Sequence, residues 1–355
     1  MEFLKLFLLP LAFIYGLIIR VRNKLFDWKL ISSEFFTVPV ISVGNLTVGG
    51  TGKTPHVEYI TRLLSKEYKV ATLSRGYGRE TSGFKIACDE DQARTIGDEP
   101  MQFYNKFPGI SVAVDSNRRR GIKNILKLKP ETDVVILDDA FQHRFVKPGL
   151  SILLSDYHKL FFHDYLLPVG TLREHRKGSR RADLIIITKT PEVLSPFERR
   201  RIIEGIKPLH NQKVLFSYIR YRELKSLWKP DEPFNLSNHY GMILLVAGIA
   251  NAYPLEFRLR DHCNELITMR FDDHHKYTRT DLERIKQNYS DLYTRNKLLV
   301  TTEKDAMRML EPSLRDLAAQ LPIYYIPIQI DFHGNDKHTF DQTIKDYVKE
   351  NKREH

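Results

Sequence analysis

The stretch SVGNLTVGGTGKTP, residues 42–55, constrains the fold more than any other part of the chain. An apolar run, VPVISV at 38–43, stops at a turn holding Gly49, Gly50 and Gly52, and a helix-forming run, HVEYITRLLSKEY at 56–68, follows Lys53 and Thr54. A buried strand that ends in a glycine-rich turn and a helix N-terminus presents free N–H groups and a helix dipole to phosphate. The glycines allow the backbone to approach phosphate oxygens closely. In such loops the lysine bridges the outer phosphates and the threonine hydroxyl faces Mg²⁺, roles that fall to Lys53 and Thr54. Pro55 lies in the first helical turn, where a missing N–H costs little. The usual spacing, G-x-x-x-x-G-K-[ST], wants glycine where this chain has Thr47. The strand–turn–helix setting nevertheless makes Val48, Gly49, Gly50, Thr51, Gly52, Lys53, Thr54 and Pro55 the candidate nucleotide loop.

Further short apolar runs recur at 69–74, 110–115, 133–139, 150–156 and 183–189, with helical spacing at 118–129. Continuous apolar strands joined by helices predict a mostly parallel sheet covered on both faces, the doubly wound α/β class. The stretch 213–236 begins as a strand and turns polar and proline-containing, which marks a boundary. A second, smaller α/β unit follows with strands at 242–250, 266–271 and 297–303, and a last strand at 322–330 that pairs back toward the linker. The expected domains are an N-terminal helix over 1–28, a nucleotide-binding domain over 29–212, a linker over 213–236 and a C-terminal α/β domain over 237–345.

Two cysteines, Cys88 and Cys263, form no metal-binding spacing and no disulfide framework, so a reducing cytoplasm is the simpler setting. A net charge of +11 favours an anionic partner. No zinc-finger or RRM signature and no basic stretch with interleaved aromatics is present, so nucleic acid is not the expected partner. Residues 3–19, FLKLFLLPLAFIYGLII, carry Lys5 as their only charge and lead into Arg20, Arg22 and Lys24. That run is shorter than the about 20 residues a spanning helix needs, and it holds Pro10 and Gly16. It lacks the basic start and cleavage site of a signal peptide. A helix lying in a membrane interface with its cationic flank on anionic headgroups fits better; a helix buried in the core is the alternative.

A metal-binding carboxylate is expected where an apolar strand ends in aspartate, and DVVILDDAFQHR supplies Asp138 and Asp139. Two adjacent carboxylates at a strand end are costly to hold together without cations. With the loop, the blocks SRGYGR (74–79), GDEP (97–100), ILDDAFQHR (136–144) and TTEKDAMR (301–308) together resemble the tetraacyldisaccharide 4′-kinases of lipid A synthesis. The altered entry at Thr47 is that family's own form of the phosphate loop.

The resemblance implies ATP- and Mg²⁺-dependent phosphorylation of the 4′-hydroxyl of an acylated glucosamine disaccharide 1-phosphate, forming lipid IVA at the cytoplasmic face of a Gram-negative inner membrane. No obligate protein partner is expected. It also implies that Asp98 takes the proton from the attacking hydroxyl, coupled to His274 of the second domain. Lys53 and Asp139 complete the catalytic set, with Asp139 behind the metal or facing the substrate. Magnesium falls to Thr54, Asp138 and Glu174, although this chain reads Arg173, Glu174, His175 where the family has Arg-Glu-Pro. Arg75, Arg119, Gln142 and His143 are candidates for holding the sugar or its 1-phosphate. The run from Arg118 to Arg120 otherwise reads as a solvated charge cluster. Thr188 and Lys189 resemble the start of a guanine-reading element, but Pro191 stands where its aspartate belongs, which favours ATP. The rival to a kinase is a membrane-associated ATPase that hydrolyses nucleotide to drive a positioning cycle.

Overall fold

The computed structural model describes residues 2–229, 232, 234, 239–249, 251–273 and 275–352. The chain divides into two compact units, Met1–Ile219 with Ile330–His355, and Arg220–Gln329. In chain order the strands are β1 (Val40–Asn45), β2 (Val70–Ser74), β3 (Lys85–Ile86), β4 (Ser111–Val114), β5 (Val134–Asp138), β6 (Leu150–Asp156), β7 (Leu184–Thr188) and β8 (Lys213–Tyr221). There follow β9 (Lys225–Ser226), β10 (Tyr240–Ala247), β11 (Cys263–Arg270), β12 (Lys297–Thr302), β13 (Ile323–Ile326) and β14 (Ile328–Phe332). The helices that position the site are α1 (Glu2–Asp27), α2 (Lys53–Leu64), α3 (Ala93–Ile96), α4 (Asp98–Lys106) and α5 (Arg118–Leu128).

The large sheet runs β14-β8-β7-β6-β1-β5-β2-β4-β3. The pairings from β8 through β7, β6, β1, β5 and β2 to β4 are parallel, and β3 is antiparallel to β4. Strands β1, β5 and β7 are buried at every position, as expected for a sheet covered on both faces. One face stacks Ile41, Val43, Ile136, Ile152 and Ile186 against Val57, Ile60 and Leu64 of α2. The other stacks Val40, Val135, Leu137 and Leu73 against Ile122 and Ile125 of α5. Each such side chain contributes about 1.5–3 kcal/mol by leaving water.

From β1 the chain crosses through α2 to β2, beyond β5. After β5 it crosses to β6 on the other side of β1 and continues outward to β7 and β8. The winding direction therefore reverses around β1, and in open α/β sheets the crevice outside the carboxyl ends at such a point is where ligands bind.

The first unit takes more of the chain than residues 29–212. Residues 213–221, read from sequence as the start of a linker, form β8 and pair with β7. The run at 322–330 divides at Pro327, whose ring removes a ladder donor. Before it, β13 pairs with β12 and antiparallel with β9; after it, β14 lies beside β8. The chain then returns to the first unit through a helix, Asp336–Asn351. Its Asp341 accepts the Tyr59 hydroxyl at 2.8 Å, its Tyr347 hydroxyl bonds the backbone of Val40, and its Asp336 pairs with Arg199 at 2.7 Å. Residues 330–345 thus belong to the first core, where Phe340 and Ile344 are fully buried.

The second unit has a five-stranded sheet, β11-β10-β12-β13-β9, parallel except for β9. Leu244, Val246 and Leu299 pack against Leu282, Ile285 and Met309 on one face, and Ile243, Leu245 and Val300 pack against Leu255 and Leu259 on the other.

Helix α1 docks on the first unit through polar contacts along one side. Its Tyr15 hydroxyl donates to the Arg173 carbonyl at 2.7 Å, Arg22 to the Gln142 carbonyl at 3.2 Å, and Asn23 to Glu174 Oε2 at 3.1 Å. The other side faces outward with Phe7, Phe13 and Ile18 exposed at 79%, 73% and 60%. No helix among the described residues is long and apolar enough to cross a membrane.

Candidate nucleotide and acceptor site

Strand β1 delivers the glycine-rich loop to the crevice. The loop's entry is fixed by a bridge between Thr47 and Leu172 and by the Val48 N–H donating to the Thr171 carbonyl at 2.8 Å. Gly52 caps α2 with φ 84°, a left-handed conformation that strains any side chain. A Cβ built on Gly49 or Gly50 would meet nothing within 4 Å, so the space beside both glycines is open. As the first amides of α2, those of Lys53 and Thr54 have no intrahelical carbonyl to receive them, and the first turn holds no acid to compete with an anion.

The neighbouring strand β5 ends in the two aspartates. Asp138 is buried, and its Oδ1 has no hydrogen-bond partner among the described residues. Burial, then the Asp139 charge, pushes its carboxyl up to about 7, with Glu99 adding to the shift and Lys53 and Arg118 opposing it. Asp139 adopts φ 48°, a conformation aspartate tolerates better than most residues, and this turns its carboxylate toward cations. Lys53 Nζ lies 3.6 Å from Asp139 Oδ1, and Arg173 Nη1 donates to both Asp139 oxygens at 3.1 Å. Burial alone would raise the Asp139 carboxyl, but Lys53 and Arg173 outweigh it and hold it below its ordinary value.

Asp98 opens α4 directly after Gly97, whose backbone packs on the turn that follows β2, and this puts the GDEP turn at the same end of the sheet. Gly97, at φ 100°, makes this possible: a Cβ there would lie 3.1 Å from the Tyr77 carbonyl oxygen and 3.2 Å from Gly76 Cα. The turns of GDEP and SRGYGR are therefore packed backbone to backbone. The next cluster is cationic. His143, Arg119, Ser116, Asn117 and Phe145 line a cavity of about 340 Å³. Burial, followed by the charges of Arg118, Arg22 and Arg75, lowers the His143 imidazole to about 4, so it is neutral in ordinary buffers.

The profile of the family described as Tetraacyldisaccharide-1-P 4'-kinase matches residues 4–349. The chain belongs to that family. Tetraacyldisaccharide 4'-kinases of Bacteroides thetaiotaomicron and Parabacteroides distasonis are 44% and 45% identical to it, over 98% and 96% of this chain and 94% of each relative. The Flavobacterium johnsoniae enzyme of the same name is 43% identical over 99% of both chains. Among solved structures, the crystal structure of the "apo" form of LpxK from Aquifex aeolicus in complex with ATP is similar, with a TM-score of 0.74 and 28% identity over 97% of this chain and 99% of that one.

Within this tetraacyldisaccharide 4′-kinase fold, the residues singled out from sequence do not all converge. Lys53, Asp138 and Asp139 come together, while Thr54 is half-buried in the first turn of α2. Glu174 is buried among hydrogen-bond donors: Arg181 at 2.8 Å, Asn23 at 3.1 Å and Gln142 at 3.2 Å. Among the described residues no group of three His, Cys, Asp or Glu side chains converges to hold a metal. Gln142 also donates to the Asn45 carbonyl at 2.7 Å, bridging the end of β1 to Glu174. Arg119 pairs with Glu34 at 3.6 Å, and Arg75 is exposed. His274 lies outside the described residues; its neighbour His275 pairs with Asp281 at 3.1 Å.

Arg118 corrects the reading of 118–120 as a solvated run. It is 2% exposed and donates to the carbonyls of Asp115 and Asp138 at 2.8 and 2.9 Å, so it anchors the tip of β5. Only the helical register gave a hint, since position 118 shares a face with the buried Ile122 and Ile125. Thr188 and Lys189 also have a different setting from a base-reading pair, with both side chains donating to carbonyls of the phosphate loop.

Proposed function

We propose that this chain phosphorylates the 4′-hydroxyl of tetraacyldisaccharide 1-phosphate, with ATP seated on Val48–Pro55 and the lipid delivered at a membrane surface. The observation that carries the nucleotide site is the open glycine-rich turn beside the paired aspartates of the adjacent strand. ATP phosphates fit amides of the loop and first helical turn, with Lys53 in reach of the outer ones. Mg²⁺ fits the Thr54 hydroxyl and Asp138, because a buried carboxylate oxygen without a partner is stabilised by a cation. Held there, the ion would supply positive charge against the transferring phosphoryl group. Glu174 fits better as a brace, since its oxygens already accept from Arg181, Gln142 and Asn23.

Asp98 takes the proton of the attacking hydroxyl in this reading, from a helix N-terminus at the same end of the sheet. Arg173 and Lys53 hold Asp139 ionised. Arg119 and neutral His143, which line the 340 Å³ cavity, and the exposed Arg75 offer charge and hydrogen bonds to the sugar and its 1-phosphate. The outward apolar side of α1 fits a membrane interface, since exposed apolar patches of this kind mark interaction surfaces. Its polar side touches Gln142, Arg173 and Glu174, so the lipid-facing element abuts the acceptor side.

The test is transfer of labelled phosphate from ATP to the acceptor in mixed micelles, with parent protein and Asp98→Ala. Labelled lipid with the parent, and at least about a hundredfold less with the variant at similar ATP affinity, is expected. ATP turnover without acceptor and no labelled lipid with it would overturn the kinase reading in favour of a hydrolysis-driven ATPase.

A further inference from the structure

Three successive carbonyls of the phosphate loop are each held by a side chain from outside it. Lys189 Nζ donates to the Gly50 carbonyl at 2.5 Å, Thr188 Oγ1 to the Thr51 carbonyl at 2.9 Å, and His56 Nδ1 to the Gly52 carbonyl at 2.7 Å. A carbonyl only accepts, so His56 carries its proton on Nδ1, and its Nε2 accepts the Ser217 hydroxyl at 3.0 Å. Burial lowers that imidazole to about 4, so this donor stays neutral and in the same tautomer across ordinary assay conditions.

A trans peptide points its C=O and N–H in opposite directions. Fixing the carbonyls of Gly50, Thr51 and Gly52 therefore fixes the N–H groups of Thr51, Gly52 and Lys53. The first turns back to the Gly49 carbonyl at 3.2 Å. The other two are aimed away from the donors, together with the first-turn amide of Thr54. His56 belongs to α2, whereas the other two donors come from the tip of β7, which β6 separates from β1 in the sheet. Lys189 bends there with φ 57°, a conformation unusual outside glycine, and Asp156 at the end of β6 holds its ammonium at 2.7 Å. Local strain at a residue gripped by two partners fits a constrained functional role.

We propose that Lys189, oriented by Asp156, is a positioning residue for nucleotide binding: with Thr188 and His56 it clamps the loop from behind, so the amides are aimed at the phosphates before ATP arrives. The inference rests on the nucleotide site proposed above. Pre-organisation raises affinity by removing the ordering cost from the binding step.

The test titrates ATP into the full-length parent, Lys189→Met, Lys189→Arg and Thr188→Val in detergent micelles, with KM and kcat measured alongside. Lys189→Met should weaken ATP binding about tenfold and raise KM in step, leaving kcat at saturating ATP within about threefold. Lys189→Arg, which keeps a cationic donor, should recover most of the affinity. Thr188→Val, which deletes one hydroxyl at constant shape, should cost about fivefold. It also decides the matter should Lys189→Met fail to fold. Melting without nucleotide should barely move in Thr188→Val, whereas a structural role alone would lower Tm and leave ATP affinity unchanged. Lys189→Met or Thr188→Val binding ATP within twofold of a parent that does bind it overturns the clamp alone. A parent that takes up no ATP overturns the nucleotide site as well.

Discussion

In the second unit, Asp305 follows β12 and is fully buried. Its Oδ2 accepts the Gly248 N–H at 2.9 Å and the Thr302 hydroxyl at 2.6 Å, and its Oδ1 accepts Arg308 at 3.1 Å. In the first unit, Asp138 closes β5, also buried, with Oδ1 unpartnered among the described residues and the charge of Asp139 next to it. Both aspartates stand at the carboxyl edge of a parallel sheet. One is neutralised by the chain's own groups, so its energy is settled at folding; the other has only the partial compensation of the Lys53 and Arg118 charges, which burial and Asp139 outweigh. An unpaired buried charge costs several kcal/mol, so the open arrangement persists where a ligand compensates it. TTEKDAMR and ILDDAFQHR look alike in sequence as strand ends rich in charge. The structure separates a carboxylate satisfied by neighbouring groups from one whose Oδ1 has no partner among the described residues.

The contrast predicts opposite outcomes for removing charge. Asp138→Asn should lower phosphoryl transfer on the order of a thousandfold, through lost metal binding. The same change should stabilise the metal-free protein at pH 8. A carboxyl whose folded value is raised above its unfolded one makes folding less favourable as pH climbs from about 4 to about 7. Asparagine removes that loss, so its Tm advantage in EDTA should be present at pH 8 and gone at pH 4. A variant with no advantage at pH 8 would show that Asp138 is not an uncompensated charge. Arg308→Met should act the other way, leaving Asp305 buried without its cation and costing about 3 kcal/mol. Denaturant unfolding that leaves the second unit's transition where the parent has it would remove the distinction.

Much of this could be read along the chain because it is local. Apolar runs mark β1, β5 and β7, which are buried at every position, and the glycine-rich turn with Lys53 is one contiguous segment. The return of 330–352 to the first unit was not legible. It depends on pairs such as Tyr59 with Asp341 and Val40 with Tyr347, hundreds of residues apart, and no periodicity encodes them. Arg118 was misread for a related reason: three consecutive arginines look alike until the helix phase turns one toward the Asp138 carbonyl. Glu174 took its metal-binding role from the family resemblance alone, and its surroundings come from the fold. Arg181, Gln142 and Asn23, which meet that carboxylate, come from three separate parts of the chain, and no local pattern brings them together.

The smallest effect is the sharpest probe of the open carboxylate. With Asp138 pushed up to about 7, it is mostly ionised at pH 8, and only about one copy in ten is ionised at pH 6. A divalent cation binding there must displace the proton, so affinity should fall about tenfold between those pH values. Mn²⁺ titrated into nucleotide-free protein and followed by electron paramagnetic resonance reads this without interference from ATP's own titration. Asp138→Asn should bind the ion weakly and with almost no pH dependence. Asp139→Asn should instead move the dependence to lower pH, because it removes the neighbouring charge that burial acts with to raise Asp138. An unchanged midpoint in Asp139→Asn would mean that burial alone sets the carboxyl, and the pairing of the two aspartates would lose its place in the comparison with Asp305.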